Sequence, residues 1–462
     1  MLVANARDVG PEHAHDTMTA PVVFLQLNEI NFDFVAHYVR KFDDLPAFKR
    51  LIAAFQPLAT LGENSYEQLE PWIQWVSAQT GKTFAEHGVF RLGDVVKAPD
   101  DLTQIFETLE QHGLRVGAVS PMNARNRLRN PAYFIPDPWT DTPPHDSGFA
   151  RRLTQMLRQT VNENARGRIA VRSALALAEA VLMSFSPVRT WRLLQTIAHV
   201  RAKPWTKSLV LDQLLHLVHM KLWQKTSPDA SFVFLNAGAH IQHHYMFNAD
   251  PVKGKAANPA WYVPAEADPV YDMLKVYDSI LADYLTLQES GVRLLVATGL
   301  TQVPYDRVKF YYRLKDHAQF LKSLGMSVSR VLPRMTRDFE VQFASEQDAS
   351  SAASKLRGAK MKRDGRLLFG EIDLKGQTLF ASLTYPDEIQ AGDAALFEDG
   401  QCLEDFAHHV AFVAIKNGMH SQRGFAFLSP NTPPHPYQGE PVHVSKLFDV
   451  TIAASLQDSK SA

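Results

Sequence analysis

The chain has 462 residues, 45% hydrophobic and 21% charged, with 48 basic side chains, 49 acidic ones and one cysteine. So even a charge balance gives no bulk attraction for nucleic acid or a membrane, and the lone Cys402 excludes an intramolecular disulfide and a cysteine-rich zinc module. The composition is that of a globular protein of a reducing, cytoplasmic compartment, and the length suits one large core carrying insertions.

Residues 1–20 are polar, lack the basic start and apolar run of a secretory signal, and read as a flexible tail. Residues 22–27 form a nearly continuous apolar run, as expected of a strand buried on both faces of a parallel sheet. Similar runs recur at 114–119, 231–235 and 292–297, with amphipathic helical stretches such as 47–54 and 102–112 between them. This alternation predicts an α/β fold with a mostly parallel central sheet and helices on both faces. Ligand groups gather where such strands end, which marks Asn28, Asn236 and Thr298 as the rim of a site.

Two stretches interrupt the rhythm and divide the core into 21–146, 226–330 and 387–456. Residues 147–225 predict a helical insertion or cap, whose most apolar part, 169–185, is short for a bilayer span and reads as a buried helix, with a membrane-surface helix as the alternative. Residues 331–386 predict a small α+β insertion, with strands near 339–343, 366–372 and 378–384, a helix near 349–356 and a tight turn at Asp364-Gly365. There is no internal repeat, and the only biased segment is the proline-rich loop 430–441.

Several short motifs occur in a telling order. Leu45-Pro46-Ala47-Phe48 opens a helix, Trp75-Val76-Ser77-Ala78-Gln79-Thr80-Gly81-Lys82 is followed by His87-Gly88-Val89, and Ala239-His240-Ile241-Gln242-His243 follows a buried strand. Gly418-Met419-His420 and Leu447-Phe448-Asp449-Val450-Thr451 come late in the chain. Together they resemble the type I phosphodiesterase/nucleotide pyrophosphatase branch of the alkaline-phosphatase superfamily, over about 22–456 with the insertions unmatched. The resemblance implies that superfamily's fold and, by default, hydrolysis or transfer at a phosphoester.

In that superfamily two divalent ions clamp the phosphoryl group and activate a Thr or Ser nucleophile. Measured against that pattern, the first-strand aspartate is Asn28 beside Glu29, the nucleophile position is Pro71 beside Glu70, and the leading aspartate of D-x-x-x-H is Ala239. Ala297-Thr298-Gly299-Leu300 stands where S-D-H-G is expected, which removes two more ligands. His243 and His420 stand on metal-ligand positions of the family, with Glu29, His240 or His244 available to complete the set. The resemblance therefore implies one divalent ion at most, zinc or manganese, or none.

Glu70, preceding Pro71 at the start of a helix, is a candidate general base or nucleophile, or simply a carboxylate at the positive end of a helix dipole. Trp72 and Trp75 are three apart, which suits core packing or a sugar platform. Ser65 is the fallback hydroxyl, His87 reads as structural, and Arg125, Arg127 and Arg129 read as a solvated loop or an anion site.

The candidate catalytic residues are thus Asn28, Glu29 and Glu70, and the candidate metal ligands His243 and His420. Three readings stay open: a mononuclear enzyme acting on a phosphoester or glycan-type substrate, a metal-independent sugar-processing or group-transfer enzyme, and a non-catalytic relative that binds a ligand or partner. All three expect a small-molecule or glycan ligand, no nucleic acid and no membrane span.

Overall fold

The structure is a computed structural model that describes residues 20–164, 171–254, 256–333, 337–437 and 439–457. The first apolar run forms β1 (Val22–Leu27), with all six residues buried. It is followed by α1 (Phe32–Lys41), α2 (Pro46–Ala54), β2 (Gln56–Leu61), α3 (Pro71–Thr80), α4 (Phe84–His87) and α5 (Ile105–Gln111). Then come β3 (Val116–Val119) and β4 (Tyr133–Ile135), and after them four helices in succession: α6 (Gly148–Asn164), α7 (Val171–Met183), α8 (Pro187–His199) and α9 (Lys207–Thr226). The chain returns to the sheet in β5 (Ala230–Leu235), α10 (Ala237–Tyr245), α11 (Pro269–Glu289) and β6 (Arg293–Ala297), then runs out along β7 (Thr301–Leu314).

Beyond β7 lie α12 (His317–Ser323), β8 (Arg330–Pro333), β9 (Asp338–Gln342), α13 (Glu346–Arg357), β10 (Lys360–Met361), β11 (Phe369–Lys375), β12 (Thr378–Leu383), β13 (Ala395–Leu396) and β14 (Cys402–Leu403). Here β11, β12, β9 and β8 make an antiparallel sheet that closes over α12 and α13 with a core of its own, including Phe320, Phe339, Leu356 and Phe369. The long strand β15 (Val410–Ser421) then retraces β7 as an antiparallel ribbon back to the main sheet. The chain finishes in β16 (Arg423–Leu428), β17 (Val442–His443) and α14 (Lys446–Leu456).

The main sheet has eight strands in the order β17-β2-β16-β6-β1-β5-β3-β4. Only β16 runs against its neighbours, so the sheet is mostly parallel, with β1 between β5 and β6 in the interior. Alternation along β1 divides the core: Val23, Leu25 and Leu27 face a cluster that includes Phe48, Leu214, Ile241 and Tyr284, while Val22 and Phe24 face Trp75, Phe106 and Leu447. Burying both faces is what forces the strand to be apolar throughout.

Local signals fix the ends of the elements around the site. Asn31 caps α1 by accepting from the backbone of Asp33 at 2.9 Å. Pro71 sits at the first position of α3, where its missing N–H costs nothing, and Gly81 ends that helix in the left-handed region at φ 70°. One expectation fails: the apolar stretch around α7 is not a buried helix. Leu177, Ala180 and Val181 pack inward, but Leu175, Leu182 and Met183 face out because only one side of α7 is covered. Residues 169 and 170 of that stretch fall outside the described residues.

Trp75 joins the sheet to α3. It is fully buried, meets Phe24 and Phe234 edge-on, and donates its indole N–H to Asn28 Oδ1 at 2.7 Å. Trp75→Ala is expected to cost about 3–5 kcal/mol through the cavity it leaves. Trp75→Phe keeps most of the packing but leaves Asn28 Oδ1 without its donor, and is expected to cost about 1–3 kcal/mol. Urea-unfolding midpoints of the two variants check this, and a Phe variant as stable as the parent would mean the bond contributes nothing.

Candidate functional site

Past the end of β1 the backbone turns sharply, with Glu29 at φ 61°, where a side chain other than glycine is strained by about 1–3 kcal/mol. Both backbone groups of Glu29 are tied: its N–H donates to Thr298 O at 3.0 Å, and its carbonyl accepts from Gln242 Nε2 at 2.8 Å. The turn drives the Glu29 carboxylate inward to 1% exposure. There Oε1 accepts from Asn28 Nδ2 at 3.1 Å and Oε2 from Gln302 Nε2 at 2.5 Å.

Two imidazoles converge on the same carboxylate oxygen. His243, on α10, places Nε2 3.2 Å from Glu29 Oε2, and His420, on β15, places Nε2 3.3 Å from it. The two Nε2 atoms are themselves 3.2 Å apart. The three donor atoms thus form a nearly equilateral triangle, and these residues are the one group among the described residues placed to share a metal ion. Gly418 permits this closeness, since a Cβ there would stand 2.8 Å from Gln242 O on α10 and 2.1 Å from Gln302 Oε1.

Hydrogen bonds orient both rings. His243 Nδ1 donates to Gly418 O at 3.1 Å, which turns its Nε2 toward the triangle. His420 Nδ1 faces Glu70 Oε2 at 3.6 Å. Burial opposes the charged form of His420, but the carboxylates of Glu29 and then Glu70 overcome it and raise its pKa above the usual value. Burial opposes the charge of Glu29, but His420 and then His243 outweigh it and hold the carboxyl far below the ordinary range, whereas burial pushes Glu70 up.

The other sequence candidates take various places. Asn28 is saturated, giving Nδ2 to Asn236 Oδ1 at 2.8 Å and to Glu29 while accepting from Trp75, so it braces the carboxylate rather than facing a ligand. His240 and His244 stay out of the triangle and pack against each other, ring centroids 4.7 Å apart. The Ser65 hydroxyl donates to Glu67 on the exposed loop, 2.9 Å away. Neither indole serves as a platform, because Trp75 is buried and Trp72 is only half-exposed with its N–H given to Phe90 O at 3.0 Å.

Of the arginines, Arg125 is corrected as well. Arg125 is a buried staple that donates to the carbonyls of Val95, Ala98, Pro99 and Leu102, and Arg127 pairs with Glu107 and Asp100. Arg125 is therefore not solvated, whereas Arg127 and Arg129 are exposed, as a solvated loop would have them.

Sequence reasoning missed Gln302 and a basic group on the ribbon. Lys309 and Lys416 are direct cross-strand partners, a pairing of like charges that is unfavourable in an isolated ribbon. Arg337 lies over the Tyr311 ring at 4.4 Å, and Lys416 lies 5.5 Å from the centre of the Tyr305 ring. Burial first, and then the charges of Arg337, Lys416 and Arg307, lower Lys309 to about 8. The charge of Lys416 also acts on Glu70 and His420, four residues along the same strand from the triangle. Simple alternation could not have revealed it, because the ribbon's register shifts between Lys416 and Gly418.

No family model and no curated protein matches the chain. Among solved structures it is similar to phosphonoacetate hydrolase from Sinorhizobium meliloti 1021, with 12% identity over 94% of this chain and 96% of that one and a TM-score of 0.40. It is similar to murine ectonucleotide pyrophosphatase/phosphodiesterase 5, with 9% identity over 95% and 96% and a TM-score of 0.39. It is also similar to the alkaline phosphatase PafA, with 12% identity over 96% and 97% and a TM-score of 0.44.

His87 supports α3 from below. Its Nδ1 accepts from Val89 N at 3.0 Å, so Nε2 carries the proton and donates to Ser77 Oγ at 3.1 Å. Burial lowers its pKa to about 4. Because the unfolded chain binds this proton more readily, stability is complete above pH about 6.5 and is lost as pH falls towards about 4, by up to about 3 kcal/mol. Urea unfolding between those limits is expected to show this slope, and His87→Asn to make it shallower; an unchanged slope would remove His87 from the account.

Proposed function

We propose that the chain is a hydrolase or transferase acting on a phosphoester through one divalent ion held by Glu29, His243 and His420. The observation that carries this reading is the donor triangle, with edges of 3.2, 3.2 and 3.3 Å. Ligands bound tetrahedrally at about 2.0–2.1 Å stand about 3.3–3.4 Å apart, so the side chains fit an ion without rearranging. One carboxylate and two imidazoles form the donor set of a catalytic zinc site with an open position, and they also accept manganese. The donor atoms are already aimed, because Glu29 is held anionic and the bond from His243 Nδ1 to Gly418 O turns Nε2 inward.

Such an ion supplies Lewis acidity toward a phosphoryl oxygen and lowers the pKa of a bound water. The rest of the chemistry falls to the chain. Lys416, Lys309 and Arg337 surround the approach with positive charge suited to an anionic ester. Glu70, with its carboxyl raised by burial and set 3.6 Å from His420, is the group that can take up or return a proton. Pro71 and Trp72 occupy the start of α3, where a hydroxyl nucleophile would stand in the resembled family, so water or an acceptor alcohol attacks directly.

Elemental mass spectrometry of protein purified without chelator tests the reading. About one equivalent of zinc or manganese is expected in the parent and well under a tenth of that in the His243→Ala/His420→Ala variant. On bis-p-nitrophenyl phosphate the metal-loaded parent is expected to turn over, with Glu70→Gln lowering kcat by about 10²–10⁴-fold at unchanged metal content. Absence of stoichiometric metal from the parent would sink the single-metal reading; metal without turnover on any phosphoester would leave a ligand-binding relative.

A further inference from the structure

The helix α8 is folded with its apolar side outward. The face it buries is Thr190, Leu193 and Thr196, two hydroxyls around one leucine, while Val188, Trp191, Leu194 and Ile197 face solvent. The end of α7 and the turn leading into α8 continue the patch with Leu182, Met183 and Phe185, of which Leu182 is 74% and Phe185 56% exposed. Scattered apolar side chains are normal on a protein surface, but a contiguous set of this size on one helix and its turn marks a surface that is covered in use.

The charge around the patch identifies what covers it. The whole chain is nearly neutral, yet between residues 148 and 211 the sequence holds eleven Arg and Lys against two acids, Glu163 and Glu179. From residue 180 to 211 there is no acidic side chain at all. Where cations of this stretch pair with acids of α11, Arg192 and Lys203 are the outer members, 36% and 43% exposed against 18% for Asp283 and 14% for Asp272, while Arg189 is as buried as Asp283. A second copy of the chain meeting this face across a two-fold axis would oppose the same basic stretch to itself. A negatively charged sheet of lipid headgroups meets it favourably, and a tryptophan beside leucine, phenylalanine and methionine is the composition that settles at a bilayer interface.

We infer that the outer face of α8 and the α7–α8 turn dock onto an anionic phospholipid surface, with the apolar side chains entering the acyl boundary and the basic residues meeting the headgroups. No described helix is long and apolar enough to cross a membrane, so this contact lies in the plane of the interface.

Vesicle co-sedimentation of the full chain tests it, and the result is independent of metal and turnover. The chain is expected to pellet with vesicles of equimolar phosphatidylcholine and phosphatidylglycerol, to bind phosphatidylcholine alone about tenfold or more weakly, and to lose anionic binding as salt rises. Trp191→Asp/Leu194→Asp is expected to weaken binding about tenfold or more while keeping the thermal transition of the parent. Should that variant fold poorly, Trp191→Phe provides the second measurement, since quenching of tryptophan fluorescence by brominated lipid should fall relative to the parent. A parent that stays in the supernatant with anionic vesicles, a folded double variant that binds like the parent, or a dimer in light scattering that the double variant dissolves would each overturn the inference.

Discussion

A carboxylate buried at the end of the central strand is the constraint to which the site conforms. Removing the Glu29 charge from water is costly unless every lone pair is met and a counter-charge is near. Asn28, Gln302, His243 and His420 meet it from β1, β7, α10 and β15. Those four elements must therefore converge to within hydrogen-bond distance of one side chain, and the strained turn at Glu29 survives because Thr298 and Gln242 hold it from both sides.

The β7–β15 ribbon connects this point to the rest of the molecule. At its inner end Gly418 lets the strand lie against α10, so that His420 can face His243. A few residues further out, the same ribbon sets Lys309 opposite Lys416, a pairing of like charges. The two features are of opposite kind: a donor triangle of one carboxylate and two imidazoles, and further along the ribbon a pair of facing lysines. At the far side of the helical segment, α8 shows the opposite imbalance, with apolar side chains left in water.

The alternation of apolar runs with amphipathic stretches made the parallel sheet legible, because a strand buried on both faces has no polar positions to spare and so declares itself. The same logic missed β7 and β15, which are paired mainly with each other and partly exposed, so their residues are mixed and carry no strong period. It also misjudged α7, since a largely apolar helix with only Arg172, Ser173 and Glu179 as polar positions gives little indication of how many sides the fold will cover.

Within the site, the sequence by itself determined which chemistry was available: Glu29, His243 and His420 as ligand types, Glu70 at the start of a helix, and no hydroxyl where Pro71 stands. Only the tertiary structure decided that Glu29 rather than His240 or His244 completes the triangle, that Asn28 is spent on Trp75 and Asn236, and that Arg125 is a buried staple. The reason is physical. Residue type fixes what an atom can donate or accept, but which donors come within about 3.3 Å of one another depends on the crossing of strands and helices more than a hundred residues apart. That crossing is settled by packing and by the satisfaction of one buried charge, neither of which is written at any single position of the chain.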